Sequence, residues 1–165
     1  MLTIKNLKKQ EGFTLIELLA VIVIIAIIAA IAIPSILGII NKSRNNANIA
    51  TAVTVYKASQ LFLQAENAGD FTSEFVPVVG TGTVYTPERT TVATAGAGLM
   101  TMNYLPNTTI MPSNRAPITG GHVLYEADGT LHEVVLSSAA NSWVFSAAVI
   151  NTGAGNVEAV ARIAD

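Results

Sequence analysis

The sequence predicts an α+β fold, in which one long N-terminal helix, apolar in its first half and amphipathic in its second, packs on a four-stranded antiparallel sheet. Three observations predict it. No polar side chain occurs from Leu18 to Ile33. Apolar residues at helical spacing then continue through a more polar stretch. After Gly121 the pattern changes to an alternation of period two, punctuated by turn formers.

Residues 1–12 form a polar leader carrying Lys5, Lys8 and Lys9. The apolar run behind it reaches Ile40, interrupted only by Thr14, Glu17, Pro34, Ser35 and Gly38. A secretory h-region spans about 7–15 residues, whereas about 20 helical residues cross a bilayer core, so residues 13–40 are long enough to span. The basic leader places the N-terminus in the cytoplasm, although Lys42 and Arg44 flank the far end. Glu17 stands at the mouth of the run. A charge costs about 2.5–3.5 kcal/mol near mid-bilayer, which makes this carboxylate a functional candidate. Thr14-x-x-Glu17 also reads as a capping box. Pro34 removes one helical hydrogen bond, to the carbonyl of Ala30, and Gly38 follows four residues on. Together they are the predicted helix-breaking points, either a tolerated kink or a soft spot where the helix unwinds.

From Asn41 to Gly69 the helix continues as an amphipathic segment. Ile49, Ala52, Val53, Tyr56, Ser59 and Leu63 follow the 3.6-residue repeat, widened by Val55 and Phe62. Gly69-Asp70 is the predicted stop. A helix from about Phe13 to Ala68 would be roughly 80 Å long, and its second half needs an apolar partner.

Residues 70–121 are rich in Thr, Gly, Pro and Ala and form a long connection without sustained periodicity. Within it, Leu99–Leu105 suggests a short helix or an anchoring segment closed by Pro106. Residues 122–165 supply the sheet. His122–Glu126 and Leu131–Leu136 flank Asp128-Gly129, a hairpin signal that sets Val123 opposite Val134 and Tyr125 opposite His132. Trp143–Ile150 and Val157–Ile163 are the remaining strands, joined by a loop over 151–156. Trp143, Phe145, Ala147 and Val149 share one face, as do Val157, Ala159, Ala161 and Ile163. This apolar face is the expected partner of the amphipathic half-helix.

Composition narrows the chemistry. Charged residues make up 12% of the chain, about half the usual share, and the apolar excess lies near the N-terminus. Removing Lys5, Lys8, Lys9 and Glu11 from 9 basic and 11 acidic residues leaves 6 and 10, a net charge of −4. That is no general field for nucleic acid. With no cysteine, disulfides, thiolate catalysis and cysteine-ligated metals are excluded. Gly80-Thr81-Gly82 and Gly96-Ala97-Gly98 lack the lysine and context of a nucleotide loop, and no G-x-S-x-G elbow occurs. His122 and His132 read as structural or surface residues rather than metal ligands, and Glu126 with Asp128 as a plain turn rather than a calcium site. Asn41-Lys42-Ser43 and Asn107-Thr108-Thr109 match the short glycosylation pattern. No enzymatic activity, cofactor or small-molecule substrate is expected.

Lys8-Lys9-Gln10-Glu11-Gly12-Phe13-Thr14-Leu15-Ile16-Glu17-Leu18-Leu19 closely resembles the class III signal and helix start of type IV pilins and pseudopilins, and Pro34 stands where that family places its interrupting proline. The likeness is sharp over residues 5–44 and architectural beyond. It implies that a prepilin peptidase cuts between Gly12 and Phe13 and methylates the new amine of Phe13, with Glu17 serving assembly. It further implies a homopolymer raised from the cytoplasmic membrane by an assembly ATPase and inner-membrane platform proteins into an extracellular filament. Adhesion, motility or DNA uptake would be its use, with nucleic acid a partner only in the last case. The alternatives are a pseudopilin of a type II secretion or competence system and a bitopic membrane-anchored binding protein. Many pilins close a C-terminal loop with a cysteine pair, and this chain has no cysteine to do so.

Overall fold

The computed structural model describes residues 13–66, 68–71, 75–80, 98–157 and 159–161. The leader with Gly12, the middle of the Thr/Gly-rich connection, and position 163 of the last predicted strand lie outside the described residues. The chain forms two compact units that divide after Asn41.

In the first unit, helix α1 (Leu15–Glu66) begins. Leu18 N–H donates to the Thr14 carbonyl at 3.2 Å, the bond that opens the helical ladder. The helix passes through Pro34 and Gly38 without interruption. Losing the Pro34 N–H costs one bond but leaves the ladder on either side intact. Nearly every side chain from Leu15 to Ile40 is exposed.

In the second unit, the rest of α1 buries Asn48, Ile49, Ala52, Val55, Ala58, Ser59 and Leu63. These fall three or four residues apart, so they form one stripe. Val53, Tyr56 and Phe62 pack at its margins. The partner is a sheet of five strands in the order β1-β4-β5-β6-β7: β1 (Phe75–Pro77), β4 (Gly120–Tyr125), β5 (Leu131–Ser137), β6 (Asn141–Ser146) and β7 (Ala159–Ala161). All neighbours are antiparallel. Strands β2 (Ile110–Met111) and β3 (Ala116–Pro117) form a separate ribbon. Val76, Val123, Val134, Leu136, Trp143 and Phe145 are buried in one cluster with the helix stripe. Each fully buried side chain of this size is worth about 1.5–3 kcal/mol.

The four predicted strands are present, and β1 joins them as a fifth. It was illegible because it is three residues long and holds a proline. Register with β4 (Phe75 to Leu124, Val76 to Val123, Pro77 to His122) makes it a strand. Pro77 is tolerated because β1 is an edge.

Two expectations are corrected. Val123 does face Val134, but Tyr125 pairs with Leu131 rather than His132, because a register shift falls between Leu124 and Tyr125. The hairpin closes around three residues, Ala127-Asp128-Gly129, rather than two: Glu126 N–H donates to the Thr130 carbonyl, Gly129 N–H donates to the Glu126 carbonyl, and Asp128 Oδ1 accepts the Thr130 N–H and hydroxyl. The shift leaves His132 outside the ladder. Secondly, the strand expected over Trp143–Ile150 ends at Ser146, and Ala147–Thr152 forms helix α2. Two alanines favour helix, Thr152 Oγ1 caps the Ala148 carbonyl, and Gly153 (φ 65°) ends the helix by donating to the Val149 carbonyl.

Leu99–Leu105 is an anchoring run of turns. Leu99 N–H donates to Pro77 and Met100 N–H to Val78, and Leu99, Met100 and Leu105 are buried. At Gly121 (φ 127°) a β-carbon would lie 2.2 Å from the Val135 carbonyl oxygen, so only glycine fits there.

Candidate functional site

The sequence points to the start of α1. Phe13 is 84% exposed, and its neighbour Thr14 forms the cap. Thr14 N–H and Oγ1 both donate to Glu17 Oε2, at 3.0 and 2.9 Å, while Glu17 N–H donates to Thr14 Oγ1 at 3.3 Å. This is the reciprocal capping box the Thr-x-x-Glu spacing predicts. It folds the carboxylate back over the first turn, next to Phe13, where the helix dipole favours negative charge. Among the described residues, Thr14 supplies Glu17's hydrogen bonds, and none comes from a cation.

Beyond Glu17 the exposed surface is continuous hydrocarbon. Ile22, Ile24, Ile25, Ile27, Ile28, Ile31, Ile33, Ile36 and Leu37 are each more than half exposed. Among the described residues one helix, α1, is long and apolar enough to cross a membrane. A surface this apolar is stable only against lipid or other apolar side chains. Pro34 and Gly38 lie within it, and both remain helical.

Other candidates have structural surroundings. Asp128 is occupied by Thr130, and Glu126 Oε1 is paired with His132 Nδ1. Among the described residues no three His, Cys, Asp or Glu side chains converge as metal ligands. His122 is buried, with Nε2 3.5 Å from Glu133 Oε1. Sequence reading missed this pair, since the two residues lie diagonally, two positions apart across the β4–β5 register. It also missed two asparagines of α1. Asn45 Nδ2 donates to the Gly155 carbonyl at 2.6 Å and its Oδ1 accepts Val157 N–H at 3.2 Å. Asn48 Oδ1 accepts Ser113 N–H at 3.0 Å. Only the run of asparagines just past the apolar segment hinted at polar contacts.

Comparison with family models identifies residues 7–33 as a prokaryotic N-terminal methylation motif. This motif is the class III signal motif found in type IV pilins and pseudopilins, and it supports a precursor of that type. No curated protein and no solved structure matches the chain. The motif together with the apolar helix fits membrane anchoring before assembly.

Proposed function

We propose that the chain is the precursor of a type IV pilus subunit, cut between Gly12 and Phe13 and methylated at the new amine. A homopolymer then carries it from the cytoplasmic membrane to the cell surface. The observation that carries this reading is the overlap of the methylation motif with a capped helix start that holds Glu17 beside Phe13.

The physics runs from the bond that is cut. Hydrolysis before Phe13 replaces an amide with a cationic amine at the positive end of a helix. An amine and a carboxylate in the first turn attract, and both are costly to bury in hydrocarbon unless paired. Before assembly, Glu17 meets its own amine and the Thr14 cap at the membrane edge. In a bundle of stems the amine of a neighbouring subunit is an equivalent partner, and an offset that leaves either charge unpaired costs about 3–5 kcal/mol. Glu17 thereby selects one axial register. Leu18–Ile33 exchanges lipid for neighbouring stems, and Pro34 with Gly38 is where the stem yields as the subunits pack.

A prepilin peptidase, an assembly ATPase and inner-membrane platform proteins are the partners this route requires. Adhesion, motility or DNA uptake is the use of the filament. Shearing filaments from cells and identifying their main component tests the reading. Long filaments built mainly of this chain are expected. A short, envelope-bound assembly would instead make the chain a pseudopilin of a secretion or competence system.

A further inference from the structure

We propose that His122 and Glu133 form a proton-operated latch that holds β1, and the 98–105 segment bonded to it, on the sheet and releases both in acid. His122 lies on β4, on the face opposite the α1 stripe, since Val123 and Tyr125, one and three positions further along the strand, turn toward the helix core. Its side chain is 1% exposed, and neither ring nitrogen has a hydrogen-bond partner. The Phe75 ring of β1 stacks on it at 4.8 Å, and Pro77 of β1 is its ladder partner. Glu133 Oε1, from β5, is 3.5 Å from Nε2 and off the line of a hydrogen bond, and the Glu133 side chain is 15% exposed.

His132 acts on Glu133 from the same strand and is itself paired with Glu126. The β1 neighbours Phe75 and Pro77, and Ser142, Val144 and Ser146 on β6, carry no charge. In the second unit, the stripe that α1 packs on the opposite face of the sheet contains no ionisable residue.

The pair therefore has three relevant states. A neutral ring beside a carboxylate, and an imidazolium paired with a carboxylate, both leave the buried site without an isolated ring charge. An imidazolium beside a neutral carboxyl is an unpaired buried charge, the most costly arrangement. Consistent with this, His122 holds the Glu133 carboxyl below the ordinary range, against the opposite pull of burial, with His132 adding a smaller effect. Neutralising Glu133 in acid drives the ring toward water. The route the stacking points to is to lift β1, a three-residue edge strand whose Phe75 covers the ring, at the cost of exposing Val76. Val78 N–H bonds to the Gly121 carbonyl, while Leu99 and Met100 N–H bond to Pro77 and Val78. Lifting β1 thus frees the 98–105 segment as well.

Hydrogen exchange read by mass spectrometry on the full chain in detergent micelles, corrected for the intrinsic pH dependence of exchange, tests the latch. An ordinary carboxyl is neutral below about pH 4 and an ordinary imidazole charged below about pH 6.5. In the native chain, peptides covering 75–80 and 98–105 should lose protection by more than roughly tenfold as pH falls through the carboxylate range, while β5 and β6 stay protected. Glu133→Gln, which leaves a protonated ring without a carboxylate partner, should move that loss to higher pH. His122→Phe, which keeps a stacking ring, should abolish it, and His122→Gln provides the uncharged control if the larger ring disturbs folding. A Glu133→Gln transition at the native pH, or loss of protection only when β5 and β6 open too, would overturn the proposal.

Discussion

Glu17 and Thr14 satisfy each other: the carboxylate takes both the N–H and the hydroxyl of Thr14, and the Thr14 hydroxyl takes the Glu17 N–H. The carboxylate is thus held at the helix start within the single chain. The cap and the proposed register role separate by mutation. Thr14→Ala removes the cap, worth about 0.5–2 kcal/mol, and should fray the first turn while filaments still form. Glu17→Ala should leave membrane insertion intact and abolish filaments, scored by electron microscopy of sheared cells. Normal filaments from the Glu17→Ala chain would refute the register role.

Pro34→Ala restores the N–H that can donate to the Ala30 carbonyl. If the stem yields here, isolated filaments should show fast amide exchange around residues 30–38, slowed by the substitution. Equal exchange in both would mean that Pro34 is simply tolerated, as the unbroken helix of the single chain allows.

In the second unit, Ser59 Oγ donates to the Tyr56 carbonyl at 2.7 Å, so the contact with Tyr125 Oη, also 2.7 Å, uses the tyrosine proton. Tyr125→Phe leaves Ser59 Oγ without that donor and should destabilise this unit by about 1–3 kcal/mol in denaturant unfolding. Adding Ser59→Ala should cost less than the sum of the single changes, since the two side chains share one bond.

The same phenol gives a pH signature. Burial first, opposed by the Ser59 hydrogen bond, pushes Tyr125 up to about 12 from an ordinary value of 10.0. The folded state therefore keeps a proton that the unfolded state loses. Stability should be constant with respect to this group below pH 10 and fall between pH 10 and 12, by about 2 kcal/mol in all. Tyr125→Phe should remove that part of the alkaline slope.

Asn48 is buried and Asn45 only partly so. Asn48→Ala, which strands the Ser113 N–H, should cost about 1–3 kcal/mol, and Asn45→Ala less, about 0.5–1.5 kcal/mol. Thermal unfolding of the two variants gives the order directly, and a larger loss at Asn45 would show that the Gly155–Val157 loop is the more important attachment.

Much of this was legible in the sequence because it depends on local repetition. The stripe from Ile49 to Leu63 needs only the helical period, and the Asp128-Gly129 turn marks the hairpin and pairs Val123 with Val134, although the shift at Tyr125 is not visible in it. The capping box follows from a three-residue spacing. What escaped depends on partners distant in the chain. The alternation Trp143, Phe145, Ala147, Val149 suits a strand, yet Ala147-Ala148 suits a helix equally, and Gly153 decides. Phe75–Pro77 becomes a strand only because β4 presents an edge. His122 and Glu133 acquire a relationship only through strand register, and Asn45 and Asn48 through loops more than sixty residues away.

The most direct test of the account is the exact mass and N-terminal sequence of the mature protein recovered from its native cells. The account predicts a chain that begins at Phe13 with a methylated α-amine and retains Glu17. A mature protein that still begins at Met1, or that is cut anywhere other than before Phe13, would contradict it.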